Sequence, residues 1–441
     1  MKTKVRIVSV SVMILLTSVF SSCQKIDAPH QTDAFNNGTS ERNMIVVISD
    51  MHLGADLAYA ECKNNLPSLE KLLMKIKASA NVKELVIAGD MLDEWFVPAP
   101  VDTYQGKDQA DFVQRIATAN KGVFDLFNSI IQEQIIKVTY VPGNHDLTVA
   151  EASVELILPG INQARDPELG LGTYSPVGYP EIVIEHGHRY NFFCAPDPFS
   201  NQEIAPGTIL PPGYFFTRIA TLHVVQGLPK TGVDIVPVVT QNSSGDESQQ
   251  MLFEYWKLWS WTLNRFAINN KFDEKIIVTN LDGFNGSFTV NDVLPYQTTP
   301  GGLIDVDLYR GIQDNWSQRQ AHNRVAVNIP VKQAIAGAAT AGELDSQART
   351  QYLLNPNSNA RVVIFGHTHV PKLETLDNHL GQKSIYVNTG AWIDHNSLSS
   401  TKMEFVVITP QNDEQSSQTL VKLYSFDNEI DTELSMDFLK L

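Results

Sequence analysis

The chain has 441 residues, of which 43% are hydrophobic and 19% are charged, so it is long and apolar enough to bury a large core. These proportions exclude a small single module and an intrinsically disordered chain. Asp and Glu number 49 against 33 Lys and Arg, which gives a formal charge of −16. Because such a charge repels polyanions, no general nucleic-acid binding is expected.

The first 43 residues predict export and a tether ahead of any folded domain. Three basic residues precede an uncharged apolar run over residues 7–20, which is too short for a membrane span and is typical of a cleaved signal peptide. Small residues directly before Cys23 resemble the bacterial lipoprotein signal, and an ordinary signal with an incidental cysteine is the alternative. We therefore expect a signal peptide over 1–22 and a flexible tether over 23–43. Lipidated Cys23 would anchor the exported protein to a membrane of the bacterial cell envelope, facing the periplasm or the cell surface.

The following sequence predicts an α/β fold interrupted by a long insertion. A strand over 44–48, a helix over 66–78 and a strand over 84–88 form a β–α–β unit. Further strands are predicted at the end of 130–141 and over 181–185, 361–365, 384–387 and 418–425. Segment 201–355 is predicted to be a mainly helical insertion, with helices over 252–268, 308–322 and 331–354. The aromatic residues of 252–268 are expected to pack in its core, and an acyl-chain or nucleobase pocket is the alternative.

A cluster of polar residues follows each of five predicted strands. In open α/β sheets, ligand groups gather at the carboxyl ends of strands. Carboxylates, imidazoles and amide oxygens together suit Mn, Fe or Zn. Any single cluster could be a turn or a helix cap, but the five together hold six of the 11 histidines and predict a metal site. The clusters are Asp50-Met51-His52, Gly89-Asp90-Met91-Leu92-Asp93, Gly143-Asn144-His145-Asp146, His186-Gly187-His188 and Gly366-His367-Thr368-His369.

In this order the clusters resemble the calcineurin-like metallophosphoesterase family, whose pattern is D-x-H, G-D-x-x-D, G-N-H-D/E, a histidine near a glycine, and G-H-x-H. The resemblance covers residues 44–200 and 356–408. It implies two facing mixed β-sheets flanked by helices, a four-layer sandwich, with the metal centre at the strand ends. The core would consist of residues 44–200 and 356–441, and the insertion would lie beside the mouth of the site.

The resemblance also implies a dinuclear centre of divalent or transition metal ions (Mn, Fe or Zn), with Asp90 bridging. One ion would be bound by Asp50, His52, Asp90 and His369, and the other by Asp90, Asn144, His186 and His367. His145 would be the catalytic proton donor or transition-state stabiliser, oriented by Asp93. His188 and Arg189 are expected to face the substrate. In the alternative, the two histidines are reversed: His188 is the metal ligand and His186 faces the substrate.

The activity implied is metal-dependent hydrolysis of a phosphoester or pyrophosphate bond by metal-activated water, with a phosphodiester, nucleotide-sugar or lipid-linked substrate favoured. Asp93-Glu94-Trp95, Asp56 and the helical insertion resemble the branch that includes UDP-2,3-diacylglucosamine hydrolase. That enzyme has His-Gly-Asp in place of His186-Gly187-His188 and a shorter insertion, so the named substrate is not carried over. A lipid-anchored protein that binds a glycan or a partner through the same scaffold is the alternative, and a nuclease acting on short substrates is a third hypothesis.

Overall fold

A computed structural model describes residues 33–396, 398–401, 403–411 and 418–440. The predicted signal peptide, Cys23 and the first part of the predicted tether lie outside these residues. No helix within the described part is long and apolar enough to cross a membrane.

The described chain contains fifteen strands and ten α-helices. The strands are β1 Met44–Ile48, β2 Val82–Ala88, β3 Lys137–Val141, β4 Asn162–Gln163, β5 Ile182–Ile184, β6 Ile277–Leu281, β7 Phe284–Phe288, β8 Tyr296–Gln297, β9 Ile304–Asp305, β10 Val362–Phe365, β11 Lys372–Asp377, β12 Lys383–Asn388, β13 Glu404–Thr409, β14 Thr419–Asp427 and β15 Ile430–Leu439. The helices are α1 Leu66–Ala78, α2 Gln109–Ala119, α3 Lys121–Glu133, α4 Glu151–Ile157, α5 Pro212–Val225, α6 Glu247–Arg265, α7 Val290–Val293, α8 Ile312–His322, α9 Val331–Gly337 and α10 Ala341–Ala348.

Two mixed sheets form the core. The first has seven strands in the order β15-β14-β13-β1-β2-β3-β4, in which β1 to β4 run parallel and β13 runs antiparallel to β1. The second has four strands in the order β11-β12-β10-β5, in which β5, β10 and β12 are parallel and β11 is antiparallel. Two separate hairpins, β6–β7 and β8–β9, belong to the insertion.

The side chains of alternate strand residues show that the two sheets face each other. Ile45 and Val47 of β1 belong to one aliphatic cluster with Ile182 of β5 and Ile364 of β10, from the other sheet. The intervening residue Val46 belongs to the second cluster, which also contains the buried faces of α1 and α3. Because both faces of these strands are covered, they are apolar throughout. The predicted four-layer sandwich of two mixed sheets flanked by helices is confirmed.

Most predicted elements occur close to their predicted places, and the differences have local causes. Strand β1 and helix α1 have the predicted bounds, whereas α6 begins five residues before the predicted start, where Asp246 caps it by accepting a hydrogen bond from Gln249 N. The single helix predicted over 331–354 is divided into α9, α10 and a π-helical turn, with a break after Gly337.

Residues 33–43, predicted as the second half of a flexible tether, pack on the core instead. Phe35 is 2% exposed and stacks on Phe405 with 5.4 Å between ring centroids. The backbone N–H of Ala34 donates to Asp431 Oδ2 at 3.3 Å, and Asn81 Nδ2 donates to Thr39 O at 2.9 Å. The polar residues around Phe35 suggested a solvated segment, but its ring fills a place beside β13. The prediction of a flexible tether is therefore wrong for residues 33–43.

Two buried arginines fasten the insertion to loops that carry site residues. Arg218 of α5 donates to the carbonyls of Val97, Ala99 and Val278, the first at 2.8 Å. Arg319 of α8 donates to the carbonyls of residues 192, 195 and 196, just after the fourth polar cluster. A buried guanidinium needs several acceptors to offset its desolvation. The insertion is therefore fixed to the core through these loops.

We predict that Phe35→Ala lowers the free energy of unfolding by about 3–5 kcal/mol, because it leaves a cavity beside Phe405. Urea unfolding of the purified protein measures this change. Val177→Ala is the control, since Val177 is 75% exposed and its truncation should leave stability nearly unchanged. Equal, small effects of both substitutions would show that residues 33–43 are not part of the folded unit.

Candidate metal centre

The polar clusters meet where the carboxyl ends of β1, β2 and β3 lie against those of β5 and β10. Contacts between the two sheets are short at this point: His186 Nε2 lies 3.1 Å from Asp90 Oδ2, and His369 Nε2 lies 3.2 Å from Asp50 Oδ1. The backbone N–H of His367 also donates to the Asp50 carboxylate at 3.1 Å. Residues separated by more than 300 positions in the sequence therefore form one site.

The first group of candidate ligands is Asp50, His52, Asp90 and His369, whose ligand atoms all lie within 4.8 Å of one another. The Nε2 atoms of His52 and His369 are 3.2 Å apart, and His52 Nε2 is 3.6 Å from Asp90 Oδ2. Two imidazole nitrogens turned towards each other and towards two carboxylates are a donor set suited to a transition metal ion. These four are the residues expected for one ion of the dinuclear centre.

A second group adjoins the first through Asp90. His186 Nε2 lies 3.1 Å from both Asp90 Oδ2 and Asn144 Oδ1. His186 Nδ1 lies 2.9 Å from Ala88 O, a contact that orients Nε2 towards these oxygens. The ring of His367 lies 5.2 Å from that of His186, measured between centroids. The structure thus brings Asp90, Asn144, His186 and His367 together beside the first group.

Five candidate ligands adopt a backbone conformation that side chains rarely adopt. Their φ angles lie in the left-handed region, at 52° for Asp50, 47° for His52, 49° for Asp90, 70° for His367 and 57° for His369. Each such residue destabilises the fold by about 1–3 kcal/mol unless its surroundings hold it. Residues with such strained backbone are common at functional sites. Here they are the residues whose side chains converge on the candidate centre.

Glycines give the ligands room to approach. A Cβ on Gly143 would lie 2.1 Å from Asp90 Oδ1, and one on Gly89 would lie 2.4 Å from His186 Nδ1. A Cβ on Gly366 would lie 2.5 Å from Asp50 Oδ2. Any larger residue at these three positions would displace a candidate ligand. The close approach of the ligands therefore requires glycine at these positions of the motifs.

The buried carboxylate of Asp90 is ionised, whereas the candidate histidine ligands differ in protonation state. Burial opposes ionisation of Asp90, but His186 and then His145 hold its pKa well below the usual value for a carboxyl. For His367, burial is the main cause of a pKa lowered to about 3, so its imidazole is neutral, the form that ligates metals. Burial lowers the pKa of His186, but Asp90 and then Asp50 raise it to about 9; Glu61 and Asp93 likewise raise the pKa of His52 against the effect of burial. A metal ion bound by these two imidazoles would therefore displace a proton from each of them.

His145 lies beside this centre and is held by Asp93. His145 Nδ1 is 2.8 Å from Asp93 Oδ1, while the other oxygen of Asp93 is 3.0 Å from His52 Nδ1. Burial disfavours the charged form of Asp93, but the imidazole of His145 is the main cause that lowers its pKa. Trp95 packs on His145 with ring centroids 4.9 Å apart. One carboxylate therefore orients both a candidate ligand and the candidate proton donor.

The two residues expected to face the substrate are buried. Arg189 is 5% exposed, with Nε 2.7 Å from the Glu185 carboxylate and Nη2 2.7 Å from the Asp166 carboxylate. His188 is 2% exposed, and its Nε2 lies 2.9 Å from Gly170 O. The guanidinium of Arg189 is thus occupied by the protein interior, which corrects its expected placement. Of the two histidines in this cluster, His186 is the one whose nitrogen meets Asp90 and Asn144.

Three residues near the centre had no role assigned from the sequence. Asp146 accepts hydrogen bonds from the backbone N–H groups of Gly143 and Met91, at 2.6 and 2.9 Å, and so ties two cluster loops together. Asn191 Nδ2 lies 3.0 Å from His367 Nε2. Glu61 Oε2 lies 3.3 Å from His52 Nδ1. Asp146 belongs to the third polar cluster, so its place near the centre could have been predicted from the sequence. Asn191 and Glu61 belong to no motif, and nothing in the sequence indicated their position.

Comparison with known proteins supports the family resemblance. Residues 44–209 match the family described as calcineurin-like phosphoesterase. Among solved structures, a single mutant of Vps29 from Entamoeba histolytica aligns with 11% identity and a TM-score of 0.28, and a double mutant of the same protein with 9% identity and a TM-score of 0.27. Each alignment covers 90% of this chain and 99% of the Vps29 chain. No curated protein matches the chain. The matched domain and the candidate ligands together support a metal-dependent phosphoesterase.

We predict that Gly143→Ala weakens metal binding by about 10–100-fold, because the added methyl group would displace the Asp90 carboxylate. Metal titration followed by elemental analysis of the purified variant measures this loss. Gly342→Ala is the matched control, since Gly342 has open space around its Cβ position and lies in helix α10. Wild-type metal affinity in Gly143→Ala would contradict the role given to Asp90.

Proposed function

We propose that the protein is a dinuclear-metal-dependent hydrolase of phosphoester or pyrophosphate bonds. The observation that carries the proposal is the position of Asp90, which adjoins both groups of candidate ligands and also accepts a hydrogen bond from the backbone N–H of His145 at 2.8 Å. A carboxylate between two donor sets suits two cations held close together, as phosphoryl transfer requires.

In this proposal the ligands divide as the family resemblance implies. Asp50, His52 and His369 would hold one ion and Asn144, His186 and His367 the other, with Asp90 placed to serve both, since these side chains lie in contact. The bound ions would supply Lewis-acid stabilisation of a phosphoryl oxygen and a nucleophile from water at neutral pH. The protein contributes the fixed positions of the ligands, since strained backbone and close glycine contacts leave them little freedom.

His145 is proposed to donate a proton to the leaving oxygen. Its Nδ1 donates to Asp93, which leaves Nε2 directed away from that carboxylate, and its side chain is 12% exposed. Asp93 also accepts hydrogen bonds from the backbone N–H groups of Trp95 and Phe96, at 2.9 and 2.7 Å, so its position is fixed. An imidazole held in this way can act as a general acid without binding a metal.

A phosphodiester, a nucleotide-sugar or a lipid-linked diphosphate is the proposed substrate class. The proposal rests on the partial resemblance around Asp93-Glu94-Trp95 and on a large insertion that reaches the site. Helix α5 of the insertion packs against Trp95, where a Cβ on Gly213 would lie 3.1 Å from Trp95 Cζ3. Because Arg189 is buried, the substrate phosphate would be held by the ions and by His145.

The experiment that tests the proposed function is a hydrolysis screen of the purified protein, stripped of metal and reloaded with Mn, Zn or Fe. The substrates are phosphomonoesters, phosphodiesters, nucleotide-sugar pyrophosphates and phospholipids. We expect hydrolysis that depends on added metal, with diesters or pyrophosphates preferred. Asp90→Asn, which removes the shared charge, is the inactive control. Binding of a glycan or a partner without any hydrolysis would support the alternative of a binding protein.

We predict that His145→Ala retains its metal content while turnover falls by about 10²–10⁴-fold, the range for loss of a general acid. The loss should be smaller for an aryl phosphodiester than for an alkyl one, because a phenol needs little protonation to leave. Steady-state kinetics and elemental analysis give both quantities. Equal losses with both leaving groups would contradict proton donation, and loss of metal would make His145 a ligand.

We also propose that lipidated Cys23 anchors the protein to a membrane of the cell envelope. We predict that Cys23→Ser releases the protein into the soluble fraction with unchanged turnover, since attachment would depend on acyl chains. Cell fractionation with immunodetection, alongside the wild type, measures the distribution. A wild-type protein found in the soluble fraction would contradict the anchor.

A further inference from the structure

Glu61 has no place in the metal-binding motifs, yet it lies at the centre. Its Oε2 is 3.3 Å from His52 Nδ1, and one of its carboxylate oxygens lies within 4.8 Å of a ring nitrogen of His145. The four residues of this group are His52, Glu61, Asp93 and His145. Of the two carboxylates in this group of described residues, Glu61 is the one whose role the proposed chemistry leaves open.

The partners of Asp93 differ from those of Glu61. Asp93 is 2% exposed and its two oxygens are taken up by His145 and His52. Glu61 is 20% exposed. Among the residues that the structure describes, none donates a hydrogen bond to its carboxylate. Burial raises the pKa of Glu61, and the imidazole of His52 is the main cause that opposes this shift. A carboxylate in this position has hydrogen-bonding capacity left for a ligand.

The loop between β1 and α1 holds Glu61 in place. The backbone carbonyl of Glu61 accepts a hydrogen bond from Asp394 N at 2.8 Å. The Asp394 carboxylate in turn accepts from the backbone N–H groups of Lys63, Asn64 and Asn65, at 2.9–3.2 Å. The backbone at Glu61 is thus fixed before any substrate arrives, which limits where its side chain can reach and favours selection among ligands.

We propose that Glu61 is a specificity-determining residue that contacts the leaving group. The inference rests on the proposed function, in which His145 protonates the departing oxygen. Substituents on that oxygen would pass the partly exposed Glu61 carboxylate beside His145. A carboxylate at this place favours a leaving group that carries an ammonium group or several hydroxyl groups, such as an amino alcohol or a sugar. It disfavours a leaving group that carries an additional carboxylate or phosphate.

Three methyl phosphodiesters test the inference: those of phenol, of 3-(trimethylammonio)phenol and of 3-carboxyphenol. We expect wild type to favour the cationic ester over the anionic one, and Glu61→Gln to reduce the ratio of their kcat/KM values by about tenfold, as expected for the loss of one partly screened charge. Comparing ratios between wild type and variant cancels the intrinsic reactivity of each phenol. Glu203→Gln removes an equal charge from an exposed position and should leave the ratio unchanged.

The outcomes separate the inference from the function on which it rests. Failure of wild type to hydrolyse any of the three esters with Mn, Zn or Fe would overturn the proposed function. Wild-type hydrolysis with an unchanged ratio in Glu61→Gln would overturn the inference alone. A uniform loss on all three esters, accompanied by loss of metal, would also overturn it, because Glu61 would then serve only to position His52.

Discussion

The packing of the two sheets against each other is the constraint on which the candidate site depends. Ligands from β1, β2 and β3 meet ligands from β5 and β10 only because aliphatic residues on the inner faces fix how the sheets lie. Side chains alternate along a strand, so a one-residue slip of β10 would turn Val362 and Ile364 away from the interface. The same slip would move His367 and His369 from the strand end. The apolar interior therefore determines the geometry of the polar site.

This arrangement explains why strained and buried groups can persist at the centre. Asp50 and Asp90 are almost completely buried and carry left-handed backbone, both of which destabilise a fold. Parallel pairing continues beyond the strand ends, where His52 N donates to Asp90 O at 2.9 Å and Leu53 N donates to Met91 O at 3.0 Å. These hydrogen bonds hold the two loops together. The ligand loops are thus extensions of the sheet rather than free connections.

The sequence was most informative where local pattern and chemistry coincide. Strand β1 and helix α1 could be predicted because uninterrupted apolar runs and helical spacing are local properties. The meeting of the polar clusters could be predicted because each follows a buried strand, whereas the assignment of ligands to two ions came from the family resemblance. The packing of Phe35 and the position of Glu61 could not, since each depends on a partner far away in the chain, Phe405 or His145. The burial of Arg189 was also missed: besides Glu185, four residues earlier, it needs the carbonyl of Asn323, 134 residues later. A single residue in a polar segment gives no sign of such a partner.

The two arginine contacts of the insertion bear on how the molecule opens and unfolds. Arg218 is fully buried, and its described partners on the loop after the second cluster are backbone carbonyls. Swinging the insertion away from the core would remove the acceptors that this loop supplies and leave the guanidinium only its partners within the insertion, Val278 O and the Tyr214 hydroxyl. A hinged lid is therefore disfavoured, and substrates would diffuse into a mouth of constant shape. For the same reason, the insertion and the sandwich should unfold in one cooperative step. A destabilising substitution in either part would then lower the free energy of unfolding of both.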